Sequence, residues 1–179
     1  SPSVAKFRVV GDSAQARVKK ALSGLGEKAT PKEVVMPTLA FPPAPEKSAV
    51  YFVNIPDAKQ SVINIGSLSI PRTHPDYYKA QVANHMLGGG ASAKLFMVLR
   101  EEKGFTYGAY SNFMGQKSYG AFQAYASVRS DATLESVELF RDIMAEYRAG
   151  VSQEIVDFTK GSLLKANALR FETIDAKLG

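Results

Sequence analysis

The chain has 179 residues, 22 basic against 17 acidic side chains (net charge +5), and neither cysteine nor tryptophan. That length suits one domain with a real core, or one domain plus part of a neighbour, and the ordinary charged and aromatic content excludes wholesale disorder. The missing cysteines exclude a disulfide scaffold, a cysteine-ligated zinc site, an iron–sulfur cluster and a thiol nucleophile, while leaving the compartment open.

Residues 4–10 read as a strand already under way, so the chain is expected to be a piece of a longer protein. Gly11-Asp12-Ser13 supply a turn and an N-cap, and Ala14, Val18, Ala21, Leu22 and Leu25 recur at helical spacing until Gly24 and Gly26 end the run. Pro31, Pro37, Pro42, Pro43 and Pro45 then fall close together. Proline removes a ladder donor and restrains the preceding residue, so residues 31–47 are expected to be an extended linker. Residues 1–30 would then be the last strand and helix of a preceding domain, and 48–179 a domain of their own.

After the linker, residues 49–55 and 60–70 read as strands split by Pro56-Asp57. Pro75-Asp76 opens a helix with Tyr78, Val82, Met86 and Leu87 on one face, stopped by Gly88-Gly89-Gly90. A second helix from Ser92 to about Lys103 places Leu95, Phe96, Val98 and Leu99 inward, with Gly104 as its C′ residue. Residues 107–116 and 119–129 form a hairpin whose second strand alternates Phe122, Ala124, Ala126 and Val128 with Gln123, Tyr125 and Ser127. Asp131 caps a helix to about Ala149 with the stripe Leu134, Val137, Phe140, Ile143, Met144 and Tyr147. Ser152 caps a last helix carrying Ile155, Phe158, Leu163, Ala166 and Leu169. Hairpins joined by helices predict an α+β fold, a mostly antiparallel sheet with helices packed on one face.

No stretch approaches the roughly 18 apolar residues of a membrane span, and the first ten residues lack the regions of a secretory signal. The basic residues are dispersed, so no nucleic-acid partner is expected. His74 and His85 stand eleven apart and belong to no H-E-x-x-H or H-x-x-E-H motif, so no metal ligand is assigned in this chain. No G-x-S-x-G elbow exists. Gly88 to Ala93 fits G-x-G-x-x-A, but a helix precedes it where a dinucleotide fingerprint needs a strand. What remains is Leu87 to Asn112. There Arg100 ends a helix, Gly104 reverses the chain and Tyr107 starts a strand, which can bring a guanidinium and a phenol to one sheet edge. Both donate hydrogen bonds and suit a carbonyl oxygen gaining negative charge. Position alone favours the plainer arrangement, in which Arg100 complements the helix C-terminus and pairs with Glu101 or a neighbour while Tyr107 packs.

Leu87-Gly88-Gly89-Gly90, Ser92, Leu95-Phe96, Leu99-Arg100-Glu101, Gly104-Phe105, Tyr107 and the following Ser111 together resemble the C-terminal half of insulinase/pitrilysin-type zinc metallopeptidases. These are the inverzincins, which include mitochondrial processing peptidase. Val9-Val10-Gly11-Asp12 and Gly150-Val151-Ser152 extend the resemblance more weakly, and Ala93 stands where the family commonly has arginine. The resemblance implies a processing-peptidase-like two-layer fold and a division of labour. Zinc and an H-x-x-E-H helix would lie outside this chain, in the same polypeptide or a partner subunit, with a dimer expected. This chain would clamp a peptide substrate and offer Arg100 and Tyr107 to its backbone as catalytic and substrate-binding residues, Gly88, Gly89, Gly90 and Gly104 serving as turns. The fragment alone would be inactive. The alternative is a non-catalytic peptidase-like subunit serving assembly or peptide capture.

Overall fold

The structure, a computed structural model, describes residues 5–12, 15–27, 33–35, 37, 38, 40, 42, 43 and 45–178. It divides into two compact units, Ser1–Leu39 with Ser162–Gly179, and Ala40–Gly161. In the first unit, helix α1 (Gln15–Glu27) forms where the periodicity predicts it but runs through Gly24 and Gly26, which do not end it, and none of its residues is buried. Val4, and Ser13 and Ala14 of the expected turn and stripe, lie outside the described residues, as does Pro31. Residues 5–10 form no strand: Phe7 and Val9 are exposed, and an extended run becomes a strand only against a partner edge. The described residues of the proline-rich stretch carry neither helix nor strand.

The second unit is built on a three-stranded antiparallel sheet in the order β1-β3-β2, with β1 Gln60–Ser69, β2 Thr106–Gly115 and β3 Gly120–Arg129. β1 runs against β3 from Gln60 opposite Arg129 to Ser69 opposite Gly120, and β2 closes the expected hairpin from Thr106 opposite Val128 to Gly115 opposite Gly120. Period-two alternation sends Ile63, Ala109, Ala124, Ala126 and Val128 to one face. There they meet Leu87, Leu95, Val98, Leu99, Phe140 and Ile143 from the helices. The fold is therefore the expected α+β arrangement.

Several details of the expected pattern change. Residues 49–55 form no strand, and Val50, Tyr51, Phe52, Val53 and Ile55 are exposed. Helix α2 (Tyr77–Gly88) buries Tyr77, Asn84, Leu87 and Gly88, while Tyr78 faces solvent. Its phase is set by β2, against which the Tyr77 ring lies 6.2 Å from that of Phe113. Helix α4 (Thr133–Ala149) likewise turns Ser136, Phe140 and Ile143 inward, leaving Leu134 and Val137 outside, because small residues at Ala132 and Ser136 let it approach the sheet. Asp131 does not cap it: a 3₁₀ turn, Ser130–Ala132, precedes the helix, and Asp131 pairs with Arg129 at 3.5 Å. Helix α5 (Gln153–Leu169) is capped as expected, the Ile155 amide donating to Ser152 Oγ at 3.3 Å, but it buries Thr159 rather than Ile155 and Phe158. A short helix α6 (Ile174–Leu178) follows.

Candidate functional site

The site is organised by the run between α2 and β2. Helix α3 begins as one α-helical turn, Lys94–Phe96, and continues as a π-helical turn, Met97–Glu102. The wider ring is visible in the Lys103 amide, which donates five residues back to Val98 O at 3.0 Å. Leu95, Phe96, Val98 and Leu99 are all buried, as their spacing predicts, and Arg100 is turned to the surface along with Met97, Glu101 and Glu102. Gly104 then reverses the chain at φ +64°, a left-handed conformation that side-chain-bearing residues adopt only with strain. Its amide closes the turn on Arg100 O at 3.0 Å.

The reversal delivers Tyr107 beside Arg100. Arg100 Nη1 donates to the Tyr107 carbonyl at 3.1 Å, Arg100 Nε lies 3.3 Å from Glu101 Oε1, and the guanidinium carbon stands 5.0 Å from the centre of the Phe96 ring. The Glu101 pair is the one that position alone suggested; the Tyr107 contact joins backbone to side chain, not the two donor groups. The β2–β3 register slips between Thr106 and Ala109. Thr106 Oγ1 fills the irregularity, accepting from the Gly108 amide at 3.1 Å and donating to Ser127 O at 2.6 Å. A bulge of this kind re-aims side chains, and the Tyr107 ring is 85% exposed. The π-helical turn, the bulge and the Phe96 platform are features that sequence reasoning missed. A Thr-x-Gly step at the start of a strand is the one available signal for the bulge.

The glycine run works differently. Gly88 is the last residue of α2 and is buried, and a Cβ there would overlap the Ser111 amide and hydroxyl on β2. Asn84, one turn earlier, donates to Ser111 O at 3.1 Å. Gly89 caps α2 in an ordinary right-handed conformation (φ −80°), and Gly90 accepts from the Ala93 amide at 3.1 Å. Ala93 is itself buried.

Among the described residues no group of three or more His, Asp or Glu side chains could hold a metal ion. His74 Nδ1 accepts the Asp76 amide at 3.1 Å, a turn contact, so the histidines present do not fit a zinc centre. A cavity of about 220 Å³ lies among α2, α3, α4 and the α4–α5 connection, lined by Met86, Ile143, Tyr147, Val151 and Ile155 with the Lys94–Glu146 pair. Tyr147 donates to Ala83 O at 2.6 Å, and burial pushes its hydroxyl above the ordinary phenol range.

A family described as the peptidase M16 inactive domain matches residues 1–163. The chain is 29% identical over 126 residues to the non-peptidase homolog YmxG of Helicobacter pylori, covering 68% of this chain and 29% of that protein. It is also 29% identical over 121 residues to an uncharacterized zinc protease of Streptomyces coelicolor, covering 66% of this chain and 26% of the relative. The chain thus spans less than a third of the length of these curated relatives. The crystal structure of a peptidase M16 inactive domain from Pseudomonas fluorescens superposes with a TM-score of 0.59 at 31% identity, over 62% of this chain and 27% of that one. A protease from Helicobacter pylori shares the fold at a TM-score of 0.73 and 18% identity, over 93% of this chain and 41% of that one.

Proposed function

The chain belongs to the family of the peptidase M16 inactive domain, and from that premise we propose that it is the substrate-clamping, transition-state-stabilising module of a zinc endopeptidase acting on peptides. The zinc suggested by the names of its relatives is bound outside this chain, in the rest of the same polypeptide or in a partner subunit, and the two halves close as a dimer of modules. The part assigned here involves no metal.

The observation that carries the reading is an arginine with hydrogen-bond donors to spare, fixed at an open edge beside an exposed tyrosine. Arg100 holds a carbonyl of an extended peptide, and the Tyr107 hydroxyl donates to the scissile carbonyl oxygen as it becomes an oxyanion. Donors at such positions lower the barrier by about 2.7–4 kcal/mol each. In the enzyme with its zinc-bearing half present, Tyr107→Phe is expected to lower kcat on the order of 10²–10³-fold with a much smaller change in KM. An unchanged kcat removes Tyr107 from the mechanism. Zinc-dependent cleavage by residues 1–179 alone would refute the assignment of the metal to another part of the enzyme.

A second reading, a non-catalytic subunit serving assembly or peptide capture, is favoured by relatives named a non-peptidase homolog and a probable inactive metalloprotease. It predicts peptide binding that weakens on Arg100→Gln, with no turnover for Tyr107→Phe to lower.

A further inference from the structure

The guanidinium of Arg100 is not fixed by burial, since its side chain is 45% exposed. Its ion pair with Glu101 joins two exposed groups, and pairs of that kind hold a side chain weakly. Yet a residue that grips a substrate carbonyl must present its donors in one plane, because a displacement of about 1 Å already costs binding geometry. A rigid surface beneath the guanidinium is therefore needed, and Phe96 supplies one.

Phe96 lies four residues before Arg100, the spacing at which a helical side chain reaches back over its predecessor. Its ring is 5% exposed, and the Arg100 guanidinium carbon stands over it at 5.0 Å. The ring is braced in turn: Tyr110 of β2 packs on it at 5.7 Å with the planes tilted by 49°, and Tyr125 of β3 packs on Tyr110 at 6.1 Å. The result is a ladder of three rings carried by three elements, with the cation on its last rung.

We propose that Phe96 is a positioning residue for Arg100, its braced ring and the Tyr107 carbonyl together setting the plane in which the guanidinium meets a peptide carbonyl. The inference rests on the clamp reading above. It assigns to the buried Leu-Phe pair of the motif a part in substrate binding as well as in the core.

The first test is spectroscopic and uses residues 1–179 without substrate. A proton above a ring face is shielded, so the Arg100 Nε–Hε resonance is expected upfield of the ordinary arginine position. Phe96→Leu returns it there, and Phe96→Tyr keeps it upfield. An unshifted Arg100 resonance in the unaltered chain overturns the proposal without any variant having to fold. The second test is kinetic, with the zinc-bearing half present. Phe96→Leu is expected to raise KM about two- to fivefold, the scale of one half-exposed cation–π contact, with Phe96→Tyr restoring it. Loss of the upfield shift with KM unchanged overturns the positioning role, whereas Arg100→Gln still raising KM in that case leaves the clamp reading standing. An Arg100→Gln variant with unaltered KM defeats the clamp reading, and the role of Phe96 with it.

Discussion

The stretch from Leu87 to Asn112 has a closed end and an open end, and the two use their residues for opposite purposes. At the closed end Gly88 lies so near Ser111 that no side chain fits, Asn84 bonds across to β2, and Leu95 is wholly removed from water. At the open end a π-helical turn and a bulged strand hold Arg100 and Tyr107 outside the core. The π-helical turn serves both, with Val98 and Leu99 facing the core from it while Arg100 faces solvent. Stability and function should therefore separate residue by residue along this one segment.

Four substitutions would sharpen or break that separation. The largest loss of stability is expected at the closed end: Leu95→Ala empties a fully buried site and should lower the unfolding free energy by about 2–5 kcal/mol, read by urea titration. Gly88→Ala forces a Cβ against the Ser111 backbone and should cost about 1–3 kcal/mol in the same assay. Equal stability to the unaltered chain would mean that α2 and β2 do not pack so closely.

Tyr147→Phe removes a hydroxyl that donates to Ala83 O, a loss of about 1 kcal/mol. This one carries a pH signature. Burial raises the folded-state value of the Tyr147 hydroxyl above its ordinary 10.0, so the protonated phenol favours the folded chain. Its contribution is complete below about pH 10 and is lost as pH climbs through the raised value. The difference between the unaltered chain and Tyr147→Phe should shrink across that alkaline range, and a difference constant with pH would contradict the buried-donor assignment. Smallest of all, Tyr107→Phe should move stability by no more than about 0.5 kcal/mol, since its ring is exposed. A large stability change there would show that the open end also serves packing.

The sequence made the candidate site residues legible as residue types and left their geometry unread. Arg100 and Tyr107 stand out through the motif around them, and Gly104 through its place after an apolar helix. The π-helical turn was invisible because Leu95, Phe96, Val98 and Leu99 satisfy an ordinary α-helical pattern equally well; only the path into β2 selects the wider ring. Phe96 looked like core for the same reason, and it is core, with a face turned to Arg100. On α2 and α4 the helices were foreseen but their buried faces were rotated. Tyr77 and Tyr78 are identical in type, so their contrast in burial follows from what β2 presents to the helix.

What the amino-acid order determined by itself is the set of elements that carry their own reasons: the hairpin β2–β3, the helices α2 to α5, and the alternation that gives the sheet one buried face. Those follow from local periodicity and turn chemistry, which need no distant partner. Tertiary structure decided which strand-like runs become strands. Residues 49–55 are more apolar than Gln60–Ser69, yet they pair with neither outer edge of the sheet, while β1 is bonded to β3 along its whole length. A β-strand exists through hydrogen bonds to a neighbour, so its formation is settled by the pairing it makes and not by its own residues.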